Sequence, residues 1–264
     1  MLRRLLKYEI KATARLFLPL YLVLLVFAGI NRIFSIIHFE SFNGSAFGGI
    51  TAGISMTVYI TLMVGTFVMT LVVLIQRFYK NLLGDEGYLM FTLPVQSWKH
   101  ILNKLISSMI WVISSGIVAL LSIIILIPLN LPIEEILRQL RFSLNLLFVQ
   151  FGVGVHLIGL EMILISILFL ASGILMIYAA IALGHLFNKH KLLASFGMYI
   201  VLGTISRLLL SAYVLSMDHF KNYDFTTFLE IQTLLFIVFT YVAIITAGYF
   251  ILTKYILKKK LNLE

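Results

Sequence analysis

Apolar residues fill most of this chain in six long runs, at 16–37, 50–75, 105–127, 160–183, 192–215 and 231–255. Each exceeds the ~18 residues that mark a helix able to cross the hydrocarbon core of a bilayer. A lipid-exposed backbone must close its hydrogen bonds within its own segment, so runs of this kind are read as helices. The pattern predicts an all-α integral membrane protein with six transmembrane helices in a single transmembrane domain covering 1–264. Ahead of the first run, Leu2, Leu5, Leu6 and Ile10 recur at helical spacing, with Arg3, Arg4, Lys7, Lys11 and Arg15 between them. Residues 1–15 therefore read as an amino-terminal interfacial amphipathic helix, its cations turned toward anionic lipid. Pro19 is expected in the first turn of the first span, where proline is tolerated.

The connections carry less regular signals. Gly49 and Gly53 form a Gly-x-x-x-Gly pair at the start of the second span, a spacing that permits close helix packing. The third span is expected to stop at Pro128 and Pro132. Residues 133–159 begin as an amphipathic pattern and end Gly-rich, which predicts a surface helix followed by a dipping or turning segment, not a seventh span.

Charge orients these helices. With both termini cytoplasmic, 15 of the 20 Lys and Arg residues fall on the inner side, while Arg32, Arg138, Arg141 and Lys221 fall outside. A seventh span would move Lys189 and Lys191 outward and break this bias. Only 12% of residues are charged, against about a quarter in soluble domains. The net charge of +9 is thus read as topology, with membrane lipid as the partner and no nucleic acid. No cysteine is present, which excludes disulfides and thiolate metal sites. The first apolar run is expected to stay as a membrane anchor, since no small-x-small cleavage site follows it.

Catalytic patterns are sparse. There is no Gly-x-x-x-x-Gly-Lys-Ser/Thr phosphate loop and no His-Glu-x-x-His, and six histidines are scattered without ligand spacing. No catalytic residue, metal or resident cofactor is expected in this chain. Glu134, Glu135 and Arg138 resemble the Glu-Glu-x-x-x-Arg signature of intramembrane CAAX-type proteases, but the arginine comes one residue early and Gln139 holds its place. Acids at the start of a helix, near its positive end, explain the pair better. Two charges sit at membrane depth: Arg207 near the middle of the fifth predicted span and Glu161 at the start of the fourth. Such charges face a cavity or a partner, so both are candidates for a polar pathway or a structural pair across the helices.

Residues 81–104, NLLGDEGYLMFTLPVQSWKHILNK, are the one long polar-and-apolar mixture between two spans, and the charge bias places them in the cytoplasm. Asp85, Glu86 and Gly87 start a short helix with acids at its positive end. Tyr88, Leu89, Met90 and Phe91 follow as an apolar cluster, Pro94 ends it, and Trp98 opens the next helix at the interface. Acids beside that cluster suit an anionic inner leaflet poorly, and a helix presenting Tyr, Met and Phe suits a partner's groove.

These residues resemble the cytoplasmic loop of bacterial type-2, export-type ABC transporter permeases, as found in many Gram-positive bacteria. The match is carried by RFYKNLLG followed by DEGYLMFTLPVQSWKHILNKLI, and more loosely by six spans, inner termini and the basic GHLFNKHK after the fourth. The resemblance implies that residues 84–94 form a coupling helix seated on a separate nucleotide-binding ATPase, which binds ATP and Mg. It also implies a second permease subunit, identical or related, and a place in the bacterial cell membrane. The expected role is export of an amphipathic or hydrophobic substrate: a peptide, drug or lipid. The alternatives are a membrane enzyme of the CAAX-protease type and a non-transporting sensor or immunity partner.

Overall fold

The computed structural model describes residues 2–41, 46–83, 96–127, 133–187, 189–215 and 227–259. The elements among them are helices α1 (Leu2–Ser41), α2 (Ala46–Leu82), α3 (Ser97–Leu126), α4 (Ile133–Phe151), α5 (Gly154–Gly184), α6 (Lys191–Leu215) and α7 (Phe228–Lys259). All except α4 are long and apolar enough to cross a membrane. The expected all-α, six-span architecture is therefore the one observed, and the chain has the character of a multi-pass membrane protein.

Several boundaries differ from those drawn from hydropathy. Helix α1 runs unbroken from Leu2, so residues 2–15 continue directly into the first span. Pro19 consequently lies inside a helix, not in its first turn. Transmembrane helices accept an interior proline because neighbouring groups re-satisfy the freed carbonyl. Residues 81–82 belong to α2 and 97–104 to α3, which shortens the stretch between the two helices. Helix α3 opens with the Trp98 indole donating to Gln96 Oε1 at 2.6 Å and Lys99 over the Trp98 ring. Of the expected dipping or turning segment, the structure shows the turn. Gly152, in the left-handed region at φ 55°, donates its N–H to Phe148 O at 2.8 Å, ends α4, and lets α5 begin at Gly154.

Contacts divide the chain into two compact units, Met1–Arg77 with Leu102–Leu131, and Phe78–Ile101 with Pro132–Glu264. The first holds α1, most of α2 and most of α3. Asn31 of α1 donates to Ser55 O of α2, while Glu9 lies by Arg77, so these helices run antiparallel. Glu9 also meets Lys104 and Tyr21 meets Ser115, so α1 and α3 run parallel. Phe17, Tyr21, Val73 and Trp111 form one core cluster, with the Phe17 and Trp111 rings stacked at 4.5 Å. Leu24, Ala28 and Tyr59 form the next, and Val118 packs against both.

The second unit is built on α5, which packs on α6 and α7. Its C-terminal half is a run of buried small residues, Ala179, Ala180 and Ala182, around a buried Tyr178 that stacks on Phe78 at 4.0 Å. Tyr249 and Tyr241 of α7 donate to the Leu202 and Ser206 carbonyls of α6. Outside these contacts the unit is apolar and open. On α6, Leu192, Leu193 and Leu208 are all more than two-thirds exposed, as acyl chains require.

Among the described residues the tightest backbone approach at a glycine is at one that the Gly-x-x-x-Gly pattern did not mark. A Cβ on Gly184 would stand 2.5 Å from Ser195 Cα, whereas one on Gly53 would meet nothing within 4 Å. Small residues let backbones approach where lipid supplies no hydrophobic drive, and here that position is the end of α5 against the start of α6. Gly184→Ala should force the two backbones apart and cost about 1–3 kcal/mol. Gly173→Ala, where a Cβ has open space, should leave stability unchanged. Thermal unfolding of both variants in one detergent separates the two outcomes.

Candidate functional site

Helix α3 carries Lys104, Ser108, Trp111, Ser115 and Ser122 at intervals that place them on one stripe of a 3.6-residue helix. Facing that stripe, α1 supplies Glu9, Thr13 and Tyr21, and α2 supplies Tyr59, Thr70 and Arg77. At one end the Lys104 ammonium donates to Glu9 Oε1 at 2.6 Å, with side chains only 4% and 8% exposed. The Arg77 guanidinium stands 3.7 Å from the same oxygen. One carboxylate thus ties α2 and α3 to α1. Removing ions from water costs several kcal/mol each, and their attraction offsets this only with close geometry and further hydrogen bonds.

Those further bonds run down the seam. Thr13 Oγ1 donates to Glu9 O at 2.7 Å and accepts from Trp111 Nε1 at 2.7 Å. Thr70 Oγ1 donates to Thr66 O, so in its 2.8 Å contact with Ser115 the serine is the donor. Ser115 in turn accepts from Tyr21 at 2.7 Å. The relay is directional: Tyr21 to Ser115 to Thr70 to the Thr66 carbonyl. Beyond it, Ser122 donates to Ala119 O and accepts from Tyr59 at 2.8 Å. Around the ion pair a cavity of about 20 Å³ is lined by Glu9, Thr13, Thr70, Arg77, Lys104 and Ser107. That holds about one water molecule and no organic substrate. The seam can therefore keep three helices in register and pass displacement between them. It offers no space for substrate chemistry.

The residues singled out in the sequence fall elsewhere. Asp85, Glu86, Gly87, Tyr88, Leu89, Met90, Phe91 and Pro94 lie outside the described residues. Glu161, about two turns into α5, accepts from Gln232 Nε2 of α7. Glu161 Oε2 and Gln232 Oε1 are buried without a partner among the described residues. Arg207 is exposed on α6, in no ion pair or hydrogen bond among the described residues. The Glu161 and Arg207 side chains are not paired with each other. Glu135 pairs with Arg138 at 2.6 Å on the first turns of α4, a partly solvated arrangement of the kind expected at a helix start. Among the described residues no three His, Asp or Glu groups converge to hold a metal ion.

The sequence did not mark Glu9 and Lys104 as a pair. One signal was available: Ser108, Ser115 and Ser122 recur every seventh residue in an apolar run, which keeps hydroxyls on one helix face. The acid that pairs with Lys104 on the same stripe, Glu9, has no such marker, because its partner is 95 positions away.

No protein-family model, curated protein or solved structure matches this chain.

Breaking the ion pair from one side should be costly. Lys104→Met leaves the Glu9 carboxylate without its nearest cation and is expected to destabilise by about 3–5 kcal/mol. The double variant Glu9→Leu with Lys104→Met should recover most of that loss, as read by thermal unfolding in detergent.

A second test concerns His185, just beyond the end of α5. Burial first, then the nearby Lys191 ammonium, hold its imidazole below the usual 6.5. Its Nδ1 has no hydrogen-bond partner among the described residues, and the ring meets Tyr79 edge-on. The unfolded chain then binds more protons below about pH 6.5, so stability is full above that pH and falls as pH drops toward the lowered value. His185→Gln should flatten this acid limb in melts run from pH 7.5 to 5.

Proposed function

We propose that this chain is the membrane-spanning permease subunit of an ATP-driven exporter, coupled to a separate nucleotide-binding ATPase. The observation that carries the reading is the sequence DEGYLMFTLPVQSWKHILNK set between two apolar helices, α2 and α3. The chain itself has no phosphate-binding loop, so ATP and Mg are assigned to the partner. Both termini are assigned to the cytoplasm on the lysine and arginine bias, and the bacterial cell membrane on the resemblance.

The polar seam supports this reading by giving the loop something to act on. Arg77, just before it, and Lys104, just after it, both reach Glu9 of α1. Within the second unit, Phe78 and Tyr79 pack on Tyr178 and His185. In the proposed cycle the ATPase closes on ATP and pushes on Tyr88, Leu89, Met90 and Phe91. Helices α2 and α3 carry the displacement, the Glu9 clamp passes it to α1, and the spans shift as nearly rigid bodies. A path then opens against a second permease subunit, identical or related. Displacement between two discrete packings is how such coupling is transmitted. Transported substrates of an amphipathic or hydrophobic kind, whether peptide, drug or lipid, suit spans with so few fixed charges.

The test is a mild-detergent pull-down of the tagged protein from its native membrane. A P-loop ATPase should be recovered at near-equal stoichiometry and lost when Leu89 and Phe91 are both replaced by Asp. Glu9→Gln should retain the ATPase and lower transport per ATP hydrolysed. Absence of any ATPase, under conditions that keep a known transporter intact, would overturn the reading.

A further inference from the structure

Helix α4 is the one described helix that is neither a candidate span nor buried. From Leu137 to Gln150 every residue is exposed. Leu137, Leu140, Leu144, Leu147 and Phe148, between 40 and 56% exposed, share an arc of about 100° on a helix of 3.6 residues per turn. Arg138, Arg141 and Asn145 adjoin this arc and Phe142, Leu146 and Val149 lie beyond them, so the arc is the longest uncovered apolar stripe of an amphipathic helix.

Connectivity decides what can cover it. Only Gly152 and Val153 separate α4 from α5, and α3 ends at Leu126, so a helix roughly 28 Å long is tethered near a membrane-crossing helix at both ends. Held there, its ends stay within a few residues' reach of the membrane-crossing helices. The arc is also broader than the narrow seam that pairs two helices in a coiled coil. Two glutamates and two arginines leave α4 formally neutral, in contrast to the cationic residues 2–15.

We infer that α4 lies along one bilayer surface, its Leu137–Leu140–Leu144–Leu147–Phe148 arc at the boundary of headgroups and acyl chains, and takes uncharged lipid. Membrane binding by an amphipathic helix scales with buried apolar area plus attraction to anionic lipid, and here the first term acts without the second. The placement does not rest on the transporter reading.

The natural absence of cysteine makes single-cysteine labelling unambiguous. Leu140→Cys, Leu144→Cys, Arg138→Cys and Phe142→Cys would each be labelled with an environment-sensitive fluorophore on the full chain in phosphatidylcholine vesicles. Phe142 tests the face itself, since it is apolar but lies opposite the arc. Nitroxide lipids should quench the Leu140 and Leu144 positions at least about twofold more than the Arg138 and Phe142 positions. Added phosphatidylglycerol or high salt should change nothing. Equal quenching at all four positions would overturn the placement. So would ready disulfide formation between copies at Leu140 and Leu144 without lipid quenching, which would assign the face to a second copy. Quenching that requires phosphatidylglycerol would overturn the uncharged-lipid assignment. The four positions are exposed, and circular dichroism of each variant checks that the fold is kept.

Discussion

The Glu9 carboxylate and the Lys104 ammonium, 2.6 Å apart and nearly sealed from solvent, set the register of the first unit. Between apolar helices in lipid there is little hydrophobic drive, because the surroundings are as apolar as the side chains. Association then depends on packing and polar contacts that are correct in only one alignment. Slide α1 by one turn against α3 and the Glu9, Thr13 and Tyr21 partners are lost together. The aromatic stack of Phe17 on Trp111 fixes the same alignment from the apolar side.

The second unit solves the same problem with other materials. Small residues near the end of α5, Gly184 above all, bring backbones into contact where a larger side chain would hold them apart. Tyrosines of α7 reach carbonyls of α6, and the Glu161–Gln232 bond joins α5 to α7. The first unit is thus held by a charge and a line of hydroxyls, the second by close backbone approach and tyrosine–carbonyl bonds. In both, the polar groups that hold the helices are few and placed deep, so each carries a large share of specificity.

Under the proposed transporter function these few contacts would bear a mechanical load. A stretch that docks a motor needs stiff connections to the helices it moves. In the chain on either side of residues 84–95, Phe78, Leu82, Leu83 and Ile101 are buried within the second unit, while Arg77 and Lys104 meet Glu9 within the first. A displacement applied there meets packed side chains at once, and packed interiors shift between discrete arrangements more readily than they deform.

The sequence by itself determined the number and type of the spanning helices. Runs of apolar residues long enough for a bilayer have one stable form in lipid, whatever they pack against. It also determined the amphipathic character of α4 and the distinctive composition of residues 81–104, since both are local patterns. Tertiary structure alone decided which polar residues meet. Arg207 and Glu161 drew notice as charges at membrane depth, yet they are not paired with each other, while Glu9 and Lys104, at the margins of their apolar runs, form a close buried pair. The unbroken course of α1 through Pro19, and the choice of Gly184 over Gly53 as the point of closest approach, depend on neighbours far away in the chain. Local spacing records which face a residue lies on, and only packing records what that face touches.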